Sequence, residues 1–400
     1  MVLNLSYAMD ILPLSFLNSE EGVECMNYQD GFCATFAEEK SFLQFLYDLE
    51  KRADWQTQHT NQLCVYSIED RPDICDNILN DSEKEEIMKD TLQNTGMILR
   101  VGEEYYPLGT SALSTLESRA RISGTALRDL EKADLAMTLS KCLLVTRGEA
   151  LVRIHEGKAR AVHGGDKGDY AVLPMPELFE VAAIHVAENY DKTRFSGGFF
   201  DHSLAMASWE IQDEALFETY RELMKQYEQT VNGQIAASIR VQSSDVGTSG
   251  ANIFYSLLLG AERTPLILGK PLKLEHRSQA CIESFCGNMA QIFARYKEAV
   301  EGLSTLFHVH VSYPANVMAG VMKKSGIGKA LTARTVEQFK AGHGPGGCNG
   351  YELYCGICEV IFLAQSNGMN AKGLADLEEM VSRCLSYHYH EYDIPGVVAY

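Results

Sequence analysis

Ala150–Val162 reads ALVRIHEGKARAV, two short strand-like runs, ALVRI and KARAV, on either side of a Glu156-Gly157 pair. A two-residue polar-glycine step between runs rich in Val, Ile and Ala is the local signature of a β-hairpin, so the chain contains an antiparallel sheet. Upstream, MILRV (Met97–Val101) and YYPLG (Tyr105–Gly109) flank a Gly-Glu-Glu turn and repeat the pattern, while Leu135, Leu139 and Leu143 give Asp134–Val145 helical spacing. Downstream, Pro174–Asn189 places Leu178, Phe179, Ala182, Ala183 and Val186 on one face behind an early Pro176, which predicts an amphipathic helix. Strands are predicted at Phe195–Phe200, Leu204–Ile211, Gln234–Gln242 and Ile253–Leu259, with a helix at Glu214–Gln229 between the second and third.

Beyond His276 the texture changes. Cys281–Leu303, Ala315–Lys324, Lys329–Ala341, Tyr351–Gln365 and Lys372–Tyr387 all read as helices separated by Gly- or Pro-containing breaks. The first ninety or so residues show less: an acidic helical stretch at Glu38–Lys51, a short strand at Leu63–Ile68, a turn at Asp70–Asp73 and a charged segment from Asp81 to Lys89. The expected fold is therefore α+β, with a largely antiparallel sheet and flanking helices in the middle of the chain and a helical C-terminal third. The regions are 1–94, an N-terminal lead-in; 95–277, sheet-bearing; and 278–400, helical and packed on the sheet.

The chain has 400 residues, enough for a large buried core. No stretch approaches the roughly 20 apolar residues of a spanning helix, and Met1–Leu17 lacks a basic leader, so a cytoplasmic protein without membrane contact is expected. Eleven cysteines show no framework spacing and are expected to be reduced. The formal charge of −19 repels a phosphate backbone at the level of the whole molecule. Three readings remain: an ordinary solvated acidic surface, a surface imitating nucleic acid, or a local basic groove hidden by the average.

Several segments could carry chemistry. His163-Gly-Gly-Asp166-Lys-Gly-Asp169-Tyr170 offers a histidine and two carboxylates in a glycine-rich loop, suited to a metal or a proton transfer, although the same residues also make a sharp turn. Ser243–Ala251 exposes many backbone N–H groups, with Ser244, Asp245, Thr248 and Ser249 as candidate ligands for an anion; a β-bulge or wide turn is the plainer account. No Lys follows at the spacing of a Walker loop. Lys270, Lys273, His276 and Arg277 form a basic run, which Arg240 and the Lys323, Lys324, Lys329 and Arg334 group would extend if folded onto one face.

Cys355-Gly-Ile-Cys358 matches CxxC but sits inside a helical run. With Cys348 and His343 nearby, a Cys3His metal site is geometrically conceivable on loose spacing; His388 and His390 alternate like a pair on one strand face. No nucleophile elbow, HExxH, dinucleotide fingerprint or kinase set occurs, so no catalytic residue, metal or cofactor is expected. A triad of Asp245, Ser249 and His276 can be drawn only on paper.

The run SIRVQSSDVGTSGA (Ser238–Ala251) resembles the Ser-Asp-Val-Gly segment of the domain-of-unknown-function 932 family, the phage/plasmid-like proteins. His276-Arg277 is similar in place to that family's basic-His element before a long helix. VHGGDKGDYAVLPMPELFE (Val162–Glu180), GGFFDHS (Gly197–Ser203) and LGKPLKLEH (Leu268–His276) look like the subset carried on integrative and conjugative elements of gut Firmicutes. The likeness spans roughly 95–395. Many of those proteins have a Cys-X-Asn element where this chain has Ile253-Phe-Tyr-Ser256, and an Arg where Glu275 precedes His276.

The resemblance implies a mobile-element setting and no settled activity. The leading expectation is a non-enzymatic accessory protein of a phage or conjugative element that engages single-stranded nucleic acid or a nucleoprotein complex through the Asp245 loop and the Lys270–Arg277 strip, with Phe199, Phe200, Trp209 and Tyr255 as stacking candidates. Rival expectations are an acidic counter-defence protein that binds a host nuclease or restriction enzyme, and a nucleotide or phosphate-ester enzyme using His163, Asp166 and Asp169.

Overall fold

The computed structural model describes residues 28–74, 82–231, 233–277, 279–398 and 400; Met1–Leu17, Cys25, Cys75 and Asp81 lie outside them. In chain order the first half runs β1 (Cys33–Phe36), α1 (Glu39–Lys51), β2 (Ala53–His59), β3 (Cys64–Ser67), α2 (Ser82–Gln93), β4 (Met97–Val101), β5 (Glu104–Pro107), α3 (Thr110–Arg119), α4 (Lys132–Val145), β6 (Glu149–His155) and β7 (Lys158–Gly164). The ALVRI and KARAV runs form the β6–β7 hairpin. Its turn residues Glu156 and Gly157 sit at φ 48° and 68°, the left-handed pair that matches the twist of the flanking strands. The β4–β5 turn instead places Gly102 first, at φ 61°.

These strands form two small antiparallel sheets, β2-β6-β7 and β3-β4-β5. They share a core of Leu99, Leu108, Leu116, Leu139, Leu143 and Val152 with α3 and α4. A buried ion cluster holds this unit to the segment before β1. Lys158 and Arg160 both reach the Asp30 carboxylate, at 3.0 and 2.7 Å, and Lys158 also meets Asp90. Burial alone would raise the Asp30 pKa, but the two cations outweigh it and hold the group below the ordinary carboxylate range.

The second half continues with α5 (Met175–Asn189), β8 (Lys192–Asp201), β9 (Leu204–Gln212), α6 (Glu214–Gln226), β10 (Ile235–Ser243), β11 (Ala251–Leu259), β12 (Thr264–Ile267) and β13 (Leu272–Leu274). Then come α7 (Ile282–Ala290), α8 (Ile292–Gly302), α9 (Ser304–Phe307), β14 (His310–Val311), α10 (Pro314–Ser325), α11 (Lys329–His343), β15 (Cys348–Asn349), α12 (Gly350–Ser366) and α13 (Ala371–Cys384). The main sheet has the order β1-β8-β9-β10-β11-β12, all antiparallel, with β13 sharing the far edge of β11. The fold is α+β, with a large antiparallel sheet flanked by helices and a helical C-terminal part. Residues read from the sequence as a lead-in supply β1 to the edge of this sheet and β2 and β3 to the two smaller ones.

Alternation along β9 and β10 sorts the two faces of the main sheet. Ala207, Trp209, Ile211, Ala237, Ile239 and Val241 are buried in the large core with helix residues such as Phe179, Phe217, Tyr296 and Tyr354. The opposite face carries Ser238, Arg240 and Gln242, and α13 lies over part of it. Arg240 meets Glu378, Lys273 meets Glu379 at 2.8 Å, and Ala375 packs on Leu204 and Met206. Arg240 is thus consumed in an ion pair and adds nothing to a basic strip. Trp209, Phe200 and Tyr255 are buried and Phe199 packs beside Leu204 and Met206, so the aromatics considered for base stacking are core residues.

The run expected as one helix, Cys281–Leu303, divides at Gln291 into α7 and α8. Phe285, Met289, Ile292 and Tyr296 stay buried at helical spacing across the break, which is why the apolar pattern gave no sign of it. Asn349 caps α12 through a reciprocal pair: its side chain accepts from the Glu352 backbone N–H, and the Glu352 carboxylate accepts from the Asn349 N–H.

Candidate functional site

The glycine-rich loop that follows β7 and the Ser244–Gly250 turn between β10 and β11 are far apart in the chain, yet both open onto one cleft of about 760 Å³. Helix α3 supplies Ser114, Thr115, Ser118 and Arg119 to its wall, Arg121 follows directly, and the β13–Arg277 strip with Asp376 and Glu379 of α13 closes the other side. Of the residues singled out from sequence, His163, Asp169, Thr248, Ser249, Lys273, His276 and Arg277 line it.

The remaining candidates do other work. Asp166 accepts from the Glu149 N–H at 3.2 Å and braces the loop from outside the cleft. Lys270 is exposed and does not line the cleft, and neither do Lys323, Lys324, Lys329 or Arg334. Ser244 stands behind the surface, its Oγ accepting from the Val246 and Thr248 N–H groups at 3.2 Å, so it shapes the turn. Asp245 is buried beneath it and meets Arg153 at 3.2 Å; Arg153 in turn pairs with Glu50 at 2.5 Å and lies over the Trp55 ring. Burial raises the Asp245 pKa to about 6 in spite of the Arg153 guanidinium, because a carboxylate cut off from water loses more than one cation returns and Glu50 opposes it as well.

The rings under the cleft form a stack. Tyr170 lies on His163 with centroids 3.8 Å apart and planes 3° from parallel, and His276 stacks on its far side at 5.2 Å and 8°. Burial pushes His163 down to about 4, and it also lowers His276, so both imidazoles are neutral near pH 7. Their tautomers follow from their partners. His163 Nε2 donates to the Asp245 carbonyl at 2.7 Å. His276 donates through Nδ1 to the Ala171 carbonyl at 3.1 Å, which leaves Nε2 to accept from Ser243 Oγ at 3.2 Å.

This arrangement decides what the site can do chemically. His276 has both nitrogens committed, Asp245 is held by Arg153, and Ser249 Oγ is occupied by the Gln242 and Asn252 amides at 3.0 and 3.1 Å, so the Asp245-Ser249-His276 triad is not assembled. A stacked, neutral, hydrogen-bonded histidine pair is a rigid wall. Above it the exposed functional groups include Arg121, Arg277, Ser114, Ser118, Thr248 and the Asp169, Glu275 and Asp376 carboxylates, with Ser249 and Gly250 half-buried at the rim. Lys273 is neutralised by Glu379. Arg119 is tied to Thr60 Oγ1 at 2.8 Å and the Arg147 carbonyl at 2.9 Å, which fixes its guanidinium in place.

Sequence reasoning missed Arg119, Arg121 and the α3 hydroxyls, since Thr110–Arg119 carries no motif and lies distant in the chain from both loops. It also missed Trp55, Arg153 and Glu50, which matter only because β2 pairs with β6. Tyr170 ends the quoted loop, and its role as the middle of a stack has no local signal. The CxxC pair lies on α12, where Cys358 is buried in the core, and among the described residues neither thiol falls in the group of possible ligands around His343. His388 and His390 stand at a short 3-10 turn, not on a strand. No helix among the described residues is long and apolar enough to cross a membrane.

Comparison of the chain with protein-family models, with curated proteins and with solved structures finds no match in any of the three.

Proposed function

We propose that the cleft binds the backbone of a single-stranded nucleic acid, free or within a nucleoprotein complex, and that the protein is a non-enzymatic accessory protein of a phage or conjugative element. The observation that carries the binding reading is the meeting, in one cleft, of the Ser244–Gly250 turn, the His276–Arg277 strip and the Arg119–Arg121 segment. Together with the exposed Ser114 and Ser118 hydroxyls of α3 they present two exposed guanidiniums and a positioned third, the groups that hold phosphate. The fixed, neutral histidines favour a binding surface over acid–base chemistry. The mobile-element setting rests on the resemblance of Val162–Glu180, Ser238–Ala251 and Leu268–Arg277 to the phage/plasmid-like proteins.

The overall charge of −19 opposes this binding, so the attraction is local and short-ranged. Fluorescence anisotropy of a labelled single-stranded oligonucleotide, with duplex as control, tests the reading. If Arg121 and Arg277 each neutralise one phosphate, log K falls with log salt at a slope of about −1.4. The Arg121→Ala/Arg277→Ala double variant should flatten that slope. Absence of binding at low salt, or full affinity in the double variant, overturns the proposal and moves weight to an acidic face that occupies a host defence protein.

A further inference from the structure

The C-terminal helices hold a second group of chemistry-bearing side chains, remote from the cleft lining. His343 is the last residue of α11, Cys348 stands on the two-residue strand β15, and Glu352 lies in the first turn of α12. The chain between them is Gly344-Pro-Gly-Gly347, with Gly344 at φ 83° ending the helix. Gly347 comes so close to the Val311 carbonyl that a Cβ would sit 2.7 Å from it. This tight return folds the chain back against β14, and one imidazole nitrogen, the thiol sulfur and one carboxylate oxygen come within 4.8 Å of one another.

Each of the three offers a donor atom without another partner among the described residues, although burial and the nearby carboxylates raise the Cys348 thiol to about 12, so it must give up its proton to coordinate. The His343 ring stacks on Phe339 at 5.0 Å, and neither of its nitrogens has a hydrogen-bond partner among the described residues. The Cys348 side chain is buried, faces the Glu352 and Asp393 carboxylates, and has no side-chain hydrogen bond among the described residues. Glu352 has one oxygen held by the Asn349 N–H at 3.0 Å, which orients the carboxylate and leaves the other oxygen for a ligand. A negative, half-enclosed corner with imidazole, thiol and carboxylate groups is the chemistry of a borderline dication, which binds the sulfur as thiolate.

We propose that His343, Cys348 and Glu352 form a binding site for a dication of the zinc class that ties the end of α11 to the start of α12. Ligand bonds of about 2.0–2.3 Å put donors of a tetrahedral site roughly 3.5 Å apart. The group therefore closes by at most about 1.3 Å, to which the exposed His343 at a helix end can contribute. Binding releases the Cys348 thiol proton to solvent, and water takes the fourth position.

Cobalt(II) is the probe: full-length protein stripped with a chelator is titrated with Co²⁺ and read for thiolate-to-cobalt charge-transfer absorption. One equivalent should bind, and Zn²⁺ should bleach the band. Cys348→Ser should abolish it, His343→Gln should weaken affinity roughly tenfold or more, and a Cys33→Ser/Cys286→Ser control, at the two cysteines exposed among the described residues, should keep it. No band in the parent protein, or a band that persists in Cys348→Ser, overturns the proposal. If Cys348→Ser loses cooperative unfolding, His343→Gln decides, and unchanged cobalt affinity there overturns it equally.

Discussion

His163 and His343 each stand at the end of a secondary element, next to a glycine-rich loop, and their surroundings make them opposites. His163 lies beneath the cleft, stacked on Tyr170, with Nε2 donating to a carbonyl and its pKa pushed down to about 4 by burial. His343 is exposed, stacks only on Phe339 and has both nitrogens uncommitted among the described residues. The first serves as wall, the second as available ligand. A histidine beside glycines in a sequence says nothing about which of these it is; burial and the geometry of its partners decide.

The comparison breaks most readily at the support of the buried side. Arg153→Ala leaves the Asp245 carboxylate buried without its cation, and the cleft floor rests on Asp245. A loss on the order of 3–5 kcal/mol is expected in urea unfolding, with Asp245→Asn costing much less because a neutral amide needs no counterion. If Arg153→Ala unfolds at the parent midpoint, the buried pair does not hold the floor.

An effect of similar size is expected from pH. The folded-state pKa values of His163, about 4, and His202, about 3, lie below the unfolded value near 6.5, so the unfolded chain takes up those protons first as pH falls. Stability should be fully present above pH 6.5 and decline toward pH 4, by about 1.4 kcal/mol per unit of separation for each group. Asp245, raised to about 6, acts in the opposite sense between pH 6 and 4 and offsets part of one histidine. Urea midpoints measured from pH 7.5 to 4.5 should therefore fall, and His163→Gln should make the curve shallower. A flat curve in the parent protein would mean that His163 and His202 are not shielded from water.

The smallest effect belongs to the exposed side. His343→Gln, measured without metal, should leave the unfolding free energy within about 0.5 kcal/mol of the parent, as for surface substitutions in general. A larger loss would show that His343 is part of the packing, as His163 is.

Much of the architecture was legible because it is written in local pattern. The β4–β5 and β6–β7 hairpins, α5 and its Pro176, and the helices from α10 onward follow from turn residues and apolar spacing within a few residues of each other. The polar strand β2 (ADWQTQH) was not legible, since its alternation is visible only once β6 is beside it. At the cleft, the loops carrying His163, Thr248, Ser249, His276 and Arg277 stood out through glycine and charge, while Arg119 and Arg121 had no such mark. Lys273 was legible as a cation and misleading as a free one, because Glu379 reaches it from α13, more than a hundred residues away.

The sequence by itself determined the class of fold, the hairpin turns, the helical C-terminal part and the segments in which chemistry-bearing residues concentrate, since propensity, turn chemistry and periodicity are local properties of the chain. Only the tertiary structure decided which of those residues share a cleft, which charges are cancelled, which tautomer each histidine adopts and which cysteine meets a histidine and a glutamate. Those outcomes depend on distances and dielectric surroundings between residues far apart in the chain, and those distances exist only once the chain has folded.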